Sequence, residues 1–140
     1  MADLSQQLLE QVQQAIADGS ELNICGGNSK TFMGREARGE TLEVSGHSGI
    51  VDYQPVELVL TARAGTPLTE LETALAENNQ CLSFEPPMFD GKATLGGTLA
   101  THQSGPGRPW TGSVRDMVLG TRLINGKGEQ FFFGLLSEDE

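Results

Sequence analysis

Near the start of the chain, Leu4, Leu8, Val12 and Ile16 recur every four positions, with Leu9 and Ala15 widening the stripe. That spacing marks one face of an α-helix. Asp3 or Ser5 can cap its start and Gly19 its end, so a helix is predicted from Leu4 to Asp18. The period then shortens to two. Glu21 to Cys25 and Thr41 to Ser45 alternate as short strands, and Glu57 to Ala64 reads as a third. Thr66-Pro67 sets a capping hydroxyl before a proline at the first helical position. The helix it opens runs from Leu68 to Glu77 and buries Leu68, Leu71 and Leu75. Cys81 to Phe84 is the predicted next strand, which would complete a strand–helix–strand crossover.

Glu85-Pro86-Pro87 ends this regularity, and Phe89 to Thr111 carries little periodic signal. A loop of that length inside a compact domain is usually functional or disordered, and its glycine motifs favour function. Met117 to Ile124 reads as a strand, Asn125-Gly126-Lys127-Gly128 as a turn and Glu129 to Phe133 as the return strand. Residues 135–140 form an acidic tail.

Composition narrows the function more than the fold. The chain has 140 residues with 37% hydrophobic content, enough for one domain with its own core. A formal charge of -10 argues against nucleic acid and anionic lipid as partners. No apolar run approaches the ~20 residues of a membrane span. The first residues lack the basic-then-apolar order of a signal peptide. The expectation is a cytoplasmic protein without direct membrane insertion. Cys25 and Cys81 are read as small buried residues rather than a disulfide, and no metal site is expected. His47 and His102 stand outside any metal-ligand or catalytic cluster, and His102 is expected to face solvent. With no Gly-x-Ser-x-Gly and no Ser/His/Asp set, no catalytic residue is assigned. Any chemistry would come from a cofactor.

The eighteen glycines cluster rather than repeat. Gly26-Gly27-Asn28-Ser29-Lys30 follows a predicted strand. Its glycines can take positive φ, and its amides can form a concavity for an anion. It matches neither the Walker A nor the Gly-x-Gly-x-x-Gly pattern, and a plain tight turn explains it as well. Thr94-Leu95-Gly96-Gly97 is followed by Thr98 and Thr101, whose hydroxyls suit ribityl or phosphate oxygens; a structural turn entering a helix suits it equally. Gly112-Ser113-Val114-Arg115-Asp116 could set Ser113 on a ligand with Asp116 pinning the loop, or hold only a structural Arg–Asp pair.

In combination these segments resemble the PCMH-type FAD-binding domain shared by vanillyl-alcohol-oxidase-like flavoproteins. The resemblance runs from about Leu8 to Gly134. Glu85-Pro86-Pro87 and Gly105-Pro106-Gly107-Arg108-Pro109-Trp110 resemble, more narrowly, the FAD-binding subunit of bacterial glycolate oxidase. The resemblance implies an α+β fold, a small α/β lobe followed by an incomplete, mainly β lobe, with 1–134 a partial domain. It implies that Gly26, Gly27, Asn28, Ser29 and Lys30 cradle the FAD pyrophosphate. Thr94, Gly96, Gly97 and Thr101 would line the flavin side, and Gly112, Ser113 and Asp116 would face the cofactor. It further implies a 2-hydroxy-acid oxidoreductase complex with other flavin and iron–sulfur subunits, associated with the inner face of the membrane through them. Thr98 replaces an asparagine frequent in relatives, and the family's pattern continues beyond the last hairpin. The chain is therefore expected to be C-terminally truncated and inactive alone. Three readings stay open: an FAD-binding fragment, a flavin-free remnant acting as a subunit-interaction module, or a small nucleotide- or phosphate-binding module using Gly26 to Lys30 alone. Each exposes the edge of the Phe131–Phe133 strand, through which the chain is expected to dimerise or dock on a partner.

Overall fold

The stripe at the start of the chain folds as α1 (Ser5–Asp18), which buries Leu8, Val12 and Ala15. Gly19 ends it at φ 66°, its amide and that of Ser20 returning to the Ile16 and Ala15 carbonyls. The computed structural model describes residues 2–134. The expected acidic tail at 135–140 lies outside them.

After α1, β1 (Leu22–Cys25) pairs in parallel with β2 (Glu40–Glu43), Leu22 opposite Glu40 and Cys25 opposite Glu43. A parallel pair needs a connection that travels the length of the strands. Here residues 26–39 make it, and they begin with the first glycine loop. Leu42 packs on Leu8 and Val12, with Leu4, Leu22, Val44 and Ile124 at the margin of this first core.

β3 (Ile50–Gln54) and β4 (Val59–Ala62) form an antiparallel pair. The sequence pattern had merged Glu57 and Leu58 into β4; they instead form the connecting turn, where Leu58 sits at φ 60°. α2 (Leu68–Ala76) buries Leu68, Leu71 and Leu75 as predicted. Thr66 is not its cap, because its Oγ is committed to the Gly49 amide at 2.9 Å and the Arg63 carbonyl at 2.7 Å. Pro67 occupies the cap position. Cys81 to Phe84 is irregular, so the predicted crossover does not form. Phe84 is buried for packing, and Cys81 is exposed rather than buried. Cys25 is half-buried, and both thiols are free.

The stretch expected to be a loop contains α3 (Leu95–Thr101) and α4 (Arg108–Thr111). α5 (Val114–Met117) then takes the first residue of the strand predicted from Met117. β5 (Gly120–Ile124) and β6 (Gln130–Gly134) close as a hairpin, with the Asn125 side chain accepting from the Lys127 and Glu129 amides in the turn. A second core gathers Leu68, Leu71 and Ala93, flanked by Ile50, Leu60, Ala62, Met88 and Leu95. Among the described residues, the strands form three two-stranded sheets with helices between them, an α+β arrangement.

Candidate functional site

The first glycine loop leaves the end of β1, where Cys25 still accepts from the Val44 amide at 2.7 Å. Neither Gly26 nor Gly27 takes the positive φ expected of them; Asn28 makes the left-handed turn at φ 53°. The glycines are required for a different reason. A Cβ on Gly27 would stand 2.9 Å from the Lys92 carbonyl carbon, and one on Gly26 would stand 3.2 Å from the Thr94 hydroxyl. Bare backbone therefore lies directly on segment 92–94.

Four backbone donors of this loop stay unclaimed. Among the described residues, no acceptor takes the amides of Gly27, Asn28, Ser29 and Lys30. Lys30 adds a charge at the same place. Its Nζ lies 3.4 Å from the Ser29 hydroxyl and 5.4 Å from the centre of the Phe89 ring. A Cβ on Gly97 would be 4.0 Å from it. Among the described residues, no carboxylate forms an ion pair with Lys30. Partial burial pushes its pKa below the usual lysine value, because leaving water disfavours the ammonium. Four free amides and a cation with no described carboxylate partner, in a chain of net charge -10, make a local anion-attracting site.

The second segment is next to this loop but differs from it in donor supply. Thr94 is buried and caps α3, its hydroxyl accepting from the Gly97 amide at 3.2 Å. The Leu95 amide donates to Thr66 at 2.9 Å and the Gly96 amide to Ala64 at 2.8 Å. The first turn of α3 therefore has its donors taken. Gly96 is a packing glycine, since a Cβ there would meet the Ala64 backbone at 3.0 Å. Gly97 instead faces Lys30. The Thr101 hydroxyl donates back to the Gly97 carbonyl at 2.9 Å and keeps only acceptor capacity. Thr98 is 1% exposed and its hydroxyl is unpartnered.

The third segment is held elsewhere, beyond the exit of α3. Ser104 is buried, and its hydroxyl accepts from the Val114 amide at 3.0 Å. Asp116 accepts from the Ser113 amide at 2.8 Å and the Ser113 hydroxyl at 2.9 Å. These bonds hold its carboxyl below the usual aspartate range. The Ser113 hydroxyl is therefore engaged by Asp116, and the pinning role assigned to Asp116 acts on the Ser113 backbone. Gly112 sits at φ 84°, ψ -177°, a backbone region open essentially to glycine alone. Glu85 steadies the approach to this segment by accepting from the Gly107 amide at 2.8 Å.

Of the predicted residues, the structure brings together Gly26 to Lys30 with Thr94 and Gly97. Thr101 lies one helical turn further along α3, and Gly112, Ser113 and Asp116 belong to a separate capping unit. Sequence reasoning missed Phe89 and Lys92. Asp90-Gly91 was the available sign, since that pair often marks a backbone reversal. His102 is exposed, as expected, and caps α3 at φ 55°. His47 is not: its Nδ1 accepts from the Leu4 amide at 3.1 Å and anchors the start of α1.

Among the described residues, no group of His, Cys, Asp and Glu could hold a metal ion. No helix among them is long and apolar enough to cross a membrane. Residues 2–134 match a protein family described as "FAD binding domain". The chain is 56% identical over 132 residues to the "Glycolate oxidase subunit GlcE" of Escherichia coli (strain K12), covering 94% of this chain and 38% of that protein. It spans well under half the length of this relative.

Proposed function

The chain belongs to the FAD-binding domain family, whose match covers residues 2–134, and on that premise we propose that it binds FAD through the loop Gly26–Lys30. The supporting observation is the set of unclaimed amides at Gly27 to Lys30 beside the uncompensated Lys30 ammonium. A pyrophosphate supplies what that set lacks, namely acceptor oxygens and negative charge. Asn28 and Ser29 present the loop, and Gly27 lets it lie flat against segment 92–94. Gly97 leaves room beside Lys30, Gly96 fits α3 against Ala64, and Thr94 fixes the first turn of α3. Thr101 offers lone pairs to a ribityl or flavin donor. Gly112, Ser113 and Asp116 face the cofactor from a unit whose internal bonds already set its shape.

Held by these residues, FAD would supply the two-electron redox chemistry needed to oxidise a 2-hydroxy acid to the 2-oxo acid, and no residue of this chain is assigned as a catalytic residue for it. The relative's name supports glycolate as the substrate of the whole protein. The proposed setting is a cytoplasmic complex with other flavin and iron–sulfur subunits, associated with the membrane through them. One feature favours an interaction role as well. Leu123, Phe131 and Phe133 share one face of the β5–β6 hairpin and are 50%, 39% and 53% exposed. We assign this face to association with a second copy or with a partner subunit.

Titration of the purified chain with FAD, followed by flavin fluorescence, tests the reading. Saturable binding that weakens in Lys30→Met is expected. Absence of saturable binding overturns it in favour of the flavin-free interaction module.

A further inference from the structure

Phe89, Asp90 and Gly91 occupy the left-handed region in succession, at φ 44°, 58° and 76°. For a bulky residue such as phenylalanine that conformation is strained and must be imposed by its surroundings. The Lys92 amide returns to the Phe89 carbonyl and the Ala93 amide to the Met88 carbonyl, each at 3.2 Å. The buried Ala93 side chain, in the core with Leu68 and Leu71, anchors the far side. The tight reversal has two consequences at one place. It sets the Lys92 carbonyl against Gly27. It also turns the Phe89 ring beneath Lys30, 5.4 Å from Nζ, while Phe32 meets that ring edge-on at 5.6 Å and 69°. Among the described residues, the Lys30 ammonium has a hydroxyl and an aromatic face for neighbours and no carboxylate.

An aromatic face holds a cation without neutralising it. A carboxylate at the same position would orient Lys30 equally well but cancel its attraction for an anion. We propose that Phe89 is a positioning residue that holds the Lys30 ammonium over the loop Gly27–Lys30 with its charge available to the phosphates of a bound dinucleotide. The inference rests on the reading of that loop as the phosphate site. The left-handed turn at 89–91 is the element that delivers the ring.

The test combines FAD titration with NMR of the ligand-free protein. Phe89→Leu is expected to weaken FAD binding by about two- to fivefold, the value of an aromatic–cation contact. Phe89→Tyr, which keeps the ring, restores wild-type affinity. With Lys30→Met already present, Phe89→Leu has no further effect, whereas a merely structural role would add its full cost in both backgrounds. In the free protein, the Lys30 side-chain methylene resonances carry the ring-current shift of Phe89 and lose it in Phe89→Leu. Unchanged Lys30 resonances, additive losses in the double variant, or failure of tyrosine to rescue would each overturn the inference. Lack of FAD binding by the wild-type chain would instead overturn the phosphate-site reading, even where the NMR contact is present.

Discussion

Gly27→Ala is expected to abolish dinucleotide binding while both cores stay formed. The added Cβ would stand 2.9 Å from the Lys92 carbonyl carbon and closer still to its oxygen. Carbon-to-carbonyl-oxygen contacts settle at about 3.3–3.6 Å, so the loop must retreat by on the order of 2 Å. Segment 92–94 cannot retreat in its place. Ala93 is 1% exposed, and its carbonyl fixes the Leu68 amide at 2.9 Å. Charge-assisted amide–phosphate bonds act at about 2.7–2.9 Å, and a displacement of that size breaks them. Losing two, at about 1.5–3 kcal/mol each, removes roughly 3–6 kcal/mol of binding. That corresponds to a loss of more than about 100-fold in affinity. Overpacking the free protein costs about 1–3 kcal/mol, so Tm falls moderately while the fold persists. FAD titration by flavin fluorescence, with circular dichroism as the folding control, reads both effects. Gly126→Ala is the neutral comparison, because nothing lies within 4 Å of the Cβ it would add. A folded Gly27→Ala protein that binds FAD as the wild type does would refute the reasoning.

Other predictions follow from single contacts. Ser104→Ala strands the buried Val114 amide, which now donates at 3.0 Å; a loss of about 1–3 kcal/mol in urea unfolding is expected. Asp116→Ala breaks the bonds to Ser113, lowers Tm and weakens FAD binding less than Gly27→Ala does. His47 accepts a hydrogen bond only while neutral, and its burial depresses its pKa below the ordinary 6.5, Asp3 opposing and Arg63 and Arg122 assisting. Its stabilisation is complete above pH 6.5 and is lost as the pH falls from there toward the depressed value. Urea midpoints measured at neutral and mildly acidic pH should show that decline, and His47→Gln should reduce it. Replacing Phe131 and Phe133 by serine should convert a dimeric chain to a monomer in light scattering, and a wild-type monomer at high concentration would contradict pairing with a second copy through that face.

The elements that were legible in the sequence are those whose apolar spacing is repeated. α1 and α2 show it, with Leu8 and Val12, and Leu68, Leu71 and Leu75, all buried. The β5–β6 hairpin was legible through Asn125-Gly126-Lys127-Gly128. β3 was not, because only Ile50 and Tyr53 of its five residues are half-buried and no alternation announces it. Cys81 to Phe84 looked like a strand on apolar content, yet only Phe84 is buried and nothing pairs with it. α3 to α5 are too short for a period to accumulate, and local caps define them instead. At the candidate site, chemistry-bearing residues were visible as glycines beside hydroxyls. What the sequence could not reveal was which amides remain free. Gly96 and Gly97 look alike in the chain, but one packs on Ala64 and the other faces Lys30. Phe89 and Lys92 were hidden because their roles depend on a backbone reversal that brings them onto a loop some sixty residues earlier.

Comparing FAD with riboflavin in parallel titrations, with ADP as competitor, isolates the contribution of the pyrophosphate. If Gly27 to Lys30 grip that group, FAD binds saturably, ADP displaces it and riboflavin binds far more weakly. Riboflavin binding as tightly as FAD, or FAD failing to bind, would contradict the account.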